Sequence, residues 1–256
     1  MLAGGGARGV AHIGAIEELE RQGFEIAAVA GTSMGALVGG VYASGRLTEF
    51  KEWMCTLDKY KVFGLVDFTL SSEGLVKGDR VIKAMQELVP DVRIEQMPVP
   101  FAAVAADLLT GREVVLDRGG LYEAIRASIS IPSVFRPVHR DGMVLVDGGT
   151  VNPLPLNRVR REEGDLLVAV DVSAPFGADP TTRANASLNY YKVLIASSQI
   201  MQQHITQLMC RLYRPDVLVQ MPADSYGMFE FYRSAELIEA GRAATRTALA
   251  RQLEQA

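Results

Sequence analysis

The chain has 256 residues, 48% of them hydrophobic and 22% charged, enough to bury the core of one large α/β domain. A formal net charge of −4 and a pI near 5.5 argue against nucleic acid as a partner and against general attraction to anionic lipid. Cys55 and Cys210 stand far apart, and no apolar run reaches the roughly 20 residues of a membrane span, so a disulfide scaffold, a zinc site and a transmembrane segment lack support.

The chain opens at Met1-Leu2-Ala3 and passes at once into Gly4-Gly5-Gly6-Ala7-Arg8-Gly9. A strand before such a loop would be present only in its last residues, so a trimmed start is expected. No signal peptide is visible. Val10, Ile13, Ile16 and Leu19 have helical spacing, which predicts a helix over 7–22 that Gly23 ends. Residues 26–30 read as a short buried strand and 36–43 as a tightly packed helix. Thr48 caps a predicted helix over 49–57, which carries Trp53. Residues 59–75, with Phe63, Leu65, Val66, Phe68 and Leu70, read as an irregular apolar loop, either packed structure or a lid, with packed structure favoured.

Asp79 opens a helix that runs to Leu88 before Pro90. Strands over 101–108 and 113–116 flank the Thr110-Gly111 turn, and a short helix covers 121–127. Residues 138–146 read as a β-hairpin around Asp141-Gly142. A polar helix over 156–163, a strand over 166–172, a polar loop over 174–186, a long helix over 188–213, a strand over 217–220 and a helix from Ser234 complete the chain. Strands alternating with helices predict an α/β fold with a mainly parallel sheet covered on both faces, as a single domain over 1–256.

Between the strand at 26–30 and the helix at 36–43 lies Gly31-Thr32-Ser33-Met34-Gly35, a G-x-S-x-G pentapeptide. In that context the serine occupies a sharp strand-to-helix turn with its hydroxyl pushed clear of the sheet. Gly31 and Gly35 leave room on either side. The helix N-terminus favours a developing alkoxide at Ser33.

Gly4 to Gly9 fits G-x-G-x-x-G, which has two readings. A dinucleotide-binding turn needs an acidic residue at the end of the second strand to hold a ribose. Here that strand ends in Gly31-Thr32-Ser33, so this reading fails. The other reading is an oxyanion hole, in which the amides of Gly4, Gly5 and Gly6 face a substrate carbonyl.

A serine nucleophile needs a base. His12, His139 and His204 each suit a structural or surface role better than catalysis. A triad in the order Ser33, Asp147, His204 would place its histidine inside a long helix. Of the strand-end carboxylates Asp107, Asp147 and Asp171, only Asp147 precedes a sharp Gly148-Gly149 turn that lets another group approach. A partly desolvated carboxylate there can accept the serine proton directly.

Taken together, Gly4 to Gly9, Gly31 to Gly35, Asp147-Gly148-Gly149 and Ala127-Ser128-Ile129-Ser130-Ile131-Pro132 resemble a patatin-like phospholipase of bacterial type. Glu236 to Gly241 is similar to that family's closing helix. The resemblance implies a three-layer α/β/α sandwich and a Ser–Asp dyad, with Ser33 as nucleophile, Asp147 as base and the glycine-loop amides as oxyanion hole. Arg8 matches a basic position of the family, with a bracing role in the loop. Gly9, Gly31, Gly35, Gly148 and Gly149 fill the supporting motif positions.

The implied activity is hydrolysis of acyl esters of phospholipids or related lipids at a membrane or micelle surface, with no metal or organic cofactor. A cytoplasmic or membrane-peripheral location is expected, and secretion stays open because the start reads as trimmed. Nothing in the sequence sets the oligomeric state. Two alternatives stand beside this reading. One is a Ser–Asp–His esterase or an acyltransferase; the other is a catalytically weak lipid-binding regulatory protein.

Overall fold

In the structure of the protein, a computed structural model, residues 1–65, 68–71, 74–76, 78–175 and 189–255 are described. A 3-10 turn over Gly6–Val10 leads into α1 (Ala11–Arg21), followed by β1 (Val29–Thr32), α2 (Met34–Ala43), α3 (Leu47–Cys55) and α4 (Lys59–Leu65). A small hairpin, β2 (Phe68–Ser71) and β3 (Gly74–Val76), precedes α5 (Asp79–Gln86). Then come β4 (Phe101–Asp107), β5 (Glu113–Leu116), α6 (Leu121–Ser128), β6 (Val138–Arg140) and β7 (Met143–Asp147). The chain continues with β8 (Val168–Ala174), α7 (Tyr190–Tyr213), β9 (Val217–Pro222) and α8 (Ser234–Gln255).

One sheet organises these elements. β9 pairs with β8 and β1 with β4, both in parallel, and Leu2 bridges Gly31 and Val170 in parallel between them. β5 and β7 join β4 antiparallel, and β6 joins β7 through Asp141 and Gly142, both at positive φ as a tight hairpin turn demands. The sheet is therefore mixed, with its parallel half carrying the serine.

Helices cover both faces, giving three layers. On one face α1, α2, α6 and α8 bring Ile13, Val38, Ile125 and Leu237 into the larger core. There α1 and α8 cross with backbones nearly touching, since a Cβ on Gly14 or Gly241 would collide with the other helix. On the other face Leu154, Leu156, Leu167 and Ala169 form a second core against Met209 and Cys210 of α7.

Three local expectations are corrected. Residues 59–65 form α4 and not an irregular loop, and the hairpin β2–β3 follows it. The helix over 156–163 is absent. Pro153 and Pro155 precede it, Leu154 and Leu156 are pulled into the second core, and Asn152 Nδ2 donates to Asn157 and Glu113, which holds the segment as turns. α3 starts at Leu47 with Arg46 as its cap and no side-chain cap, so Thr48 lies inside the helix. The polar loop expected over 174–186 lies outside the described residues from 176 on.

Candidate active site

Ser33 connects β1 directly to α2 and has φ 56° and ψ −125°. That backbone is strained for a residue with a side chain. It is enforced from both sides, because a Cβ on Gly31 would collide with Gly35, and one on Gly35 with the Leu2 carbonyl. The turn is also stapled from α6. Ser33 N donates to Ser128 Oγ at 2.8 Å, and Ser128 Oγ donates to Val104 O at 2.6 Å.

The register of β4 places the carboxylate. β1 runs parallel to β4 with Thr32 opposite Val104. β7 runs antiparallel to β4 with Asp147 opposite Ala105. β5 pairs with the same β4 residues from the other edge, so β1 and β7 share one edge and meet head to head. Ser33 and Asp147 are thereby brought together from positions far apart in sequence. Gly148 lies flat on the Val104 carbonyl, where a Cβ would collide. Asp147 N donates to Ser130 O at 2.9 Å, so the end of α6 and the segment just after it fix both chain ends.

Asp147 is 6% exposed. Burial pushes its carboxyl from an ordinary 3.8 up to about 6, opposed in part by the Ser33 hydroxyl and the Gly149 amide. Oδ1 accepts from Gly149 N at 2.7 Å. Oδ2 is buried with no hydrogen-bond partner among the described residues. The neighbouring Ser33 hydroxyl thus offsets the rise without closing a bond of good geometry to that atom. Oδ2 is the atom open to a proton.

The glycine loop lies beside Ser33, and a Cβ on Gly4 would come within 3.3 Å of Ser33 Cβ. The expectation for Gly4 is corrected here: its amide is spent on Pro153 O at 3.0 Å. The amides of Gly5 and Gly6 have no acceptor among the described residues. Arg8 is 3% exposed and braces the loop, with Nε donating to Val172 O at 3.0 Å and Nη1 to Tyr226 O at 3.1 Å. Gly9 packs on Met34, where a Cβ would collide with that side chain.

Ser33 and Gly6 form part of the wall of a cavity of about 500 Å³. Its other walls are mostly apolar side chains of α2 to α5 and of the segments at 129–135 and 228–232, among them Leu37, Met54, Met85, Val134 and Phe231, with Lys59 and Tyr232 as polar members. Such a lining suits a hydrocarbon chain. Phe63 and Phe229 of this lining are 67% and 51% exposed, and Tyr60, outside it, is 90% exposed.

The histidines lie elsewhere. His12 is fully buried, with Nε2 2.8 Å from Ala3 O, and burial pushes its pKa down to about 4, so it holds the start of the glycine loop as a neutral ring. His139 and His204 are exposed. Gln202 is the α7 residue that faces Gly149, within 3.3 Å of where a Cβ would stand. His204 is two residues on, about 200° around the helix, and so turns away.

The role of Ser128 is missing from the sequence reading, although its stretch Ala127 to Pro132 stands out there. Ser173, which donates to Gly4 O, carries no sequence signal. Among the described residues no group of acidic, histidine and cysteine side chains could hold a metal ion, and no helix is long and apolar enough to cross a membrane.

Residues 1–159 match the patatin-like phospholipase family. An uncharacterized NTE family protein of Mycobacterium tuberculosis H37Rv is 45% identical over 172 residues, which are 67% of this chain and 48% of the relative. The neuropathy target esterase sws of Drosophila melanogaster is 30% identical over 71% of this chain and 13% of its own length. Lysophospholipase NTE1 of Saccharomyces cerevisiae is 28% identical over 76% of this chain and 12% of its own length. The chain thus spans about half the length of the mycobacterial relative.

Proposed function

The chain belongs to the patatin-like phospholipase family, and from that premise we propose that it is a lipid acyl hydrolase working through a Ser33–Asp147 dyad. The observation that carries the reading is the head-to-head meeting of β1 and β7 on β4, which sets a buried carboxyl of raised pKa beside a strained serine. At family level the chemistry is lipid ester hydrolysis; the dyad and the substrate are the finer steps proposed here.

In this mechanism Ser33 Oγ attacks the ester carbonyl carbon and its proton passes to Asp147. The carbonyl oxygen takes the negative charge and lies against the amides of Gly5 and Gly6, which are preorganised for it. The carbon–oxygen bond to the leaving alcohol breaks and Asp147 returns the proton to that alcohol. Water then attacks the acyl-enzyme, giving its proton to Asp147, and the fatty acid leaves as Ser33 regains a hydrogen. A carboxylate serves as base because burial has brought its pKa toward the working pH.

The acyl chain occupies the apolar cavity, and the lipid reaches it from a membrane or micelle across the rim of Phe63 and Phe229, with exposed Tyr60 beside it. The test is covalent labelling by a fluorophosphonate together with hydrolysis of phospholipids, lysophospholipids, acylglycerols and short p-nitrophenyl esters. Labelling at Ser33 and turnover of at least one lipid class are expected, with both lost in Ser33→Ala. A wild-type protein that folds yet neither labels nor turns over would leave only a lipid-binding role. Addition of an acyl acceptor separates hydrolysis from acyl transfer by product analysis.

A further inference from the structure

The end of β8 holds the glycine loop through one side chain. Ser173 Oγ donates to Gly4 O at 3.0 Å and accepts from Arg8 Nη2 at 3.4 Å. The Ser173 amide donates to Asp171 Oδ1 at 2.9 Å, which fixes the residue from below, and Asp171 is itself buried. Gly4 C=O and Gly5 N–H belong to one planar trans peptide and point in opposite directions. A bond that fixes the carbonyl therefore aims the amide. The glycines cannot do this for themselves, since without side chains they accept a wide range of backbone angles. Gly5 N–H has no acceptor among the described residues, and its neighbour Gly4 lies against Ser33.

We propose that Ser173 is a positioning residue for the acyl-transfer step: by holding Gly4 O it aims the Gly5 amide at the oxyanion. The inference rests on the hydrolase reading of the same site. Ser173 touches neither Ser33 nor the ester. Its hydroxyl acts only through the peptide it holds, so its loss is felt where negative charge develops on the carbonyl oxygen. Removing an oxyanion donor outright costs about 10²- to 10³-fold in kcat. Loosening one that remains in place costs less, roughly tenfold.

The test compares Ser173→Ala, Ser173→Thr and Ser173→Val with wild type. Thr and Val have nearly the same shape and differ in the hydroxyl, so this pair keeps the test valid if the alanine variant folds poorly. Readouts are kcat and KM on a soluble ester, and affinity for a trifluoromethyl ketone, which adds Ser33 to give an oxyanion. The expected result is a roughly tenfold lower kcat in the Ala and Val variants with KM within about twofold, a parallel loss of ketone affinity, and recovery in Ser173→Thr. Equal behaviour of Thr and Val, a kcat in Ser173→Ala within about twofold of wild type, or a loss that spares ketone affinity would each overturn the proposal. Fluorophosphonate labelling of wild-type Ser33 is read in the same preparation. If it is present while Ser173 proves inert, only this inference falls; if it is absent, the hydrolase reading falls with it.

Discussion

Thr32 and Asp147 occupy adjacent rungs on one edge of β4, Thr32 opposite Val104 and Asp147 opposite Ala105. That edge takes a parallel partner along its first half and an antiparallel partner along its second. Neither strand can be lengthened without running into the other, so the chain must leave the sheet at both ends at once. It does so by the strained turn at Ser33 and by the Gly148-Gly149 turn. The proximity of Ser33 and Asp147, the proposed nucleophile and base, is thus a property of sheet register, which is rigid, and not of a flexible loop.

In the proposed mechanism the Asp147 carboxylate sets the pH dependence. A base must be ionised to take a proton, so kcat/KM should rise with pH to a midpoint near 6 and then level off. The same shift has the opposite sign for stability. The folded state holds the Asp147 proton more tightly than the unfolded state, so ionisation in the buried site costs stability as pH rises from about 4 to 6, and the full cost remains above 6. A rise from 3.8 to about 6 corresponds to about 3 kcal/mol. The stability of Asp147→Asn relative to wild type should therefore improve across that window and stay constant above it, while kcat falls by about 10²- to 10⁴-fold. Asp171, also pushed up to about 6 by burial, is present in both proteins and cancels in the comparison. Chemical denaturation of the two proteins at pH 4, 5, 6 and 7 reads the difference, and a gap independent of pH would contradict the assignment.

Ser128 ties the serine turn to β4. Ser128→Ala leaves Val104 O and Ser33 N in a buried place without a partner. Each such orphan costs about 1–3 kcal/mol. The expected outcome is a clear drop in denaturant midpoint together with a lower kcat, since the turn at Ser33 loses its restraint. An unchanged midpoint and kcat in Ser128→Ala would show that the staple is dispensable.

The elbow was legible in the sequence because its signals are local: a small-residue strand, a G-x-S-x-G and a glycine-rich helix within about twenty residues. Asp147 was legible for the same reason, through the two glycines after it. The meeting of β1 and β7 was not, since register along β4 depends on partners far off in the chain; the antiparallel pairs β4–β5 and β6–β7 were legible as hairpins through their turns, but the antiparallel pairing of β7 with β4 was not. Gly4 looked equivalent to Gly5 and Gly6, and only the path of Pro153 distinguishes it. The helix read over 156–163 failed because tertiary burial of Leu154 and Leu156 outweighed a polar pattern, with two prolines already opposing it. α4 was missed because a short helix around Gly64 carries weak local preference, and its apolar residues serve a cavity more than a regular stripe.

The exposed aromatics make a prediction about lipid surfaces. Tyr60 is on α4, next to the cavity rim but outside its wall. Tyr60→Ser should weaken binding to zwitterionic phospholipid vesicles roughly tenfold, the loss expected for one apolar side chain kept in water. Hydrolysis of a soluble p-nitrophenyl ester should change by less than about twofold, because neither Ser33 nor the cavity is altered. With an acidic chain, vesicle binding should also survive moderate salt. Co-sedimentation of Ser33→Ala carrying Tyr60→Ser, at low and moderate salt, measures both effects without turnover. Binding that is unchanged by Tyr60→Ser, or that salt abolishes, would place the lipid contact elsewhere.

The last prediction separates the dyad from a histidine-assisted triad. In a triad the histidine carries the proton both ways, and its removal costs orders of magnitude. Here His204 is exposed on α7, on the side of the helix away from Gln202 and the Asp147 turn. His139 is exposed on β6, and His12 is buried as a neutral ring against Ala3 O. His139→Ala and His204→Ala should each keep most of the wild-type kcat and stability. His12→Ala should lose stability by about 2 kcal/mol or more, because it removes a buried hydrogen bond and opens a cavity, with kcat falling only as far as the glycine loop is disturbed. The pH profile gives a second view. The limb near 6 should persist unshifted in His204→Ala if Asp147 causes it. A folded His204→Ala that neither hydrolyses ester nor labels at Ser33 would replace the dyad with a Ser–Asp–His mechanism.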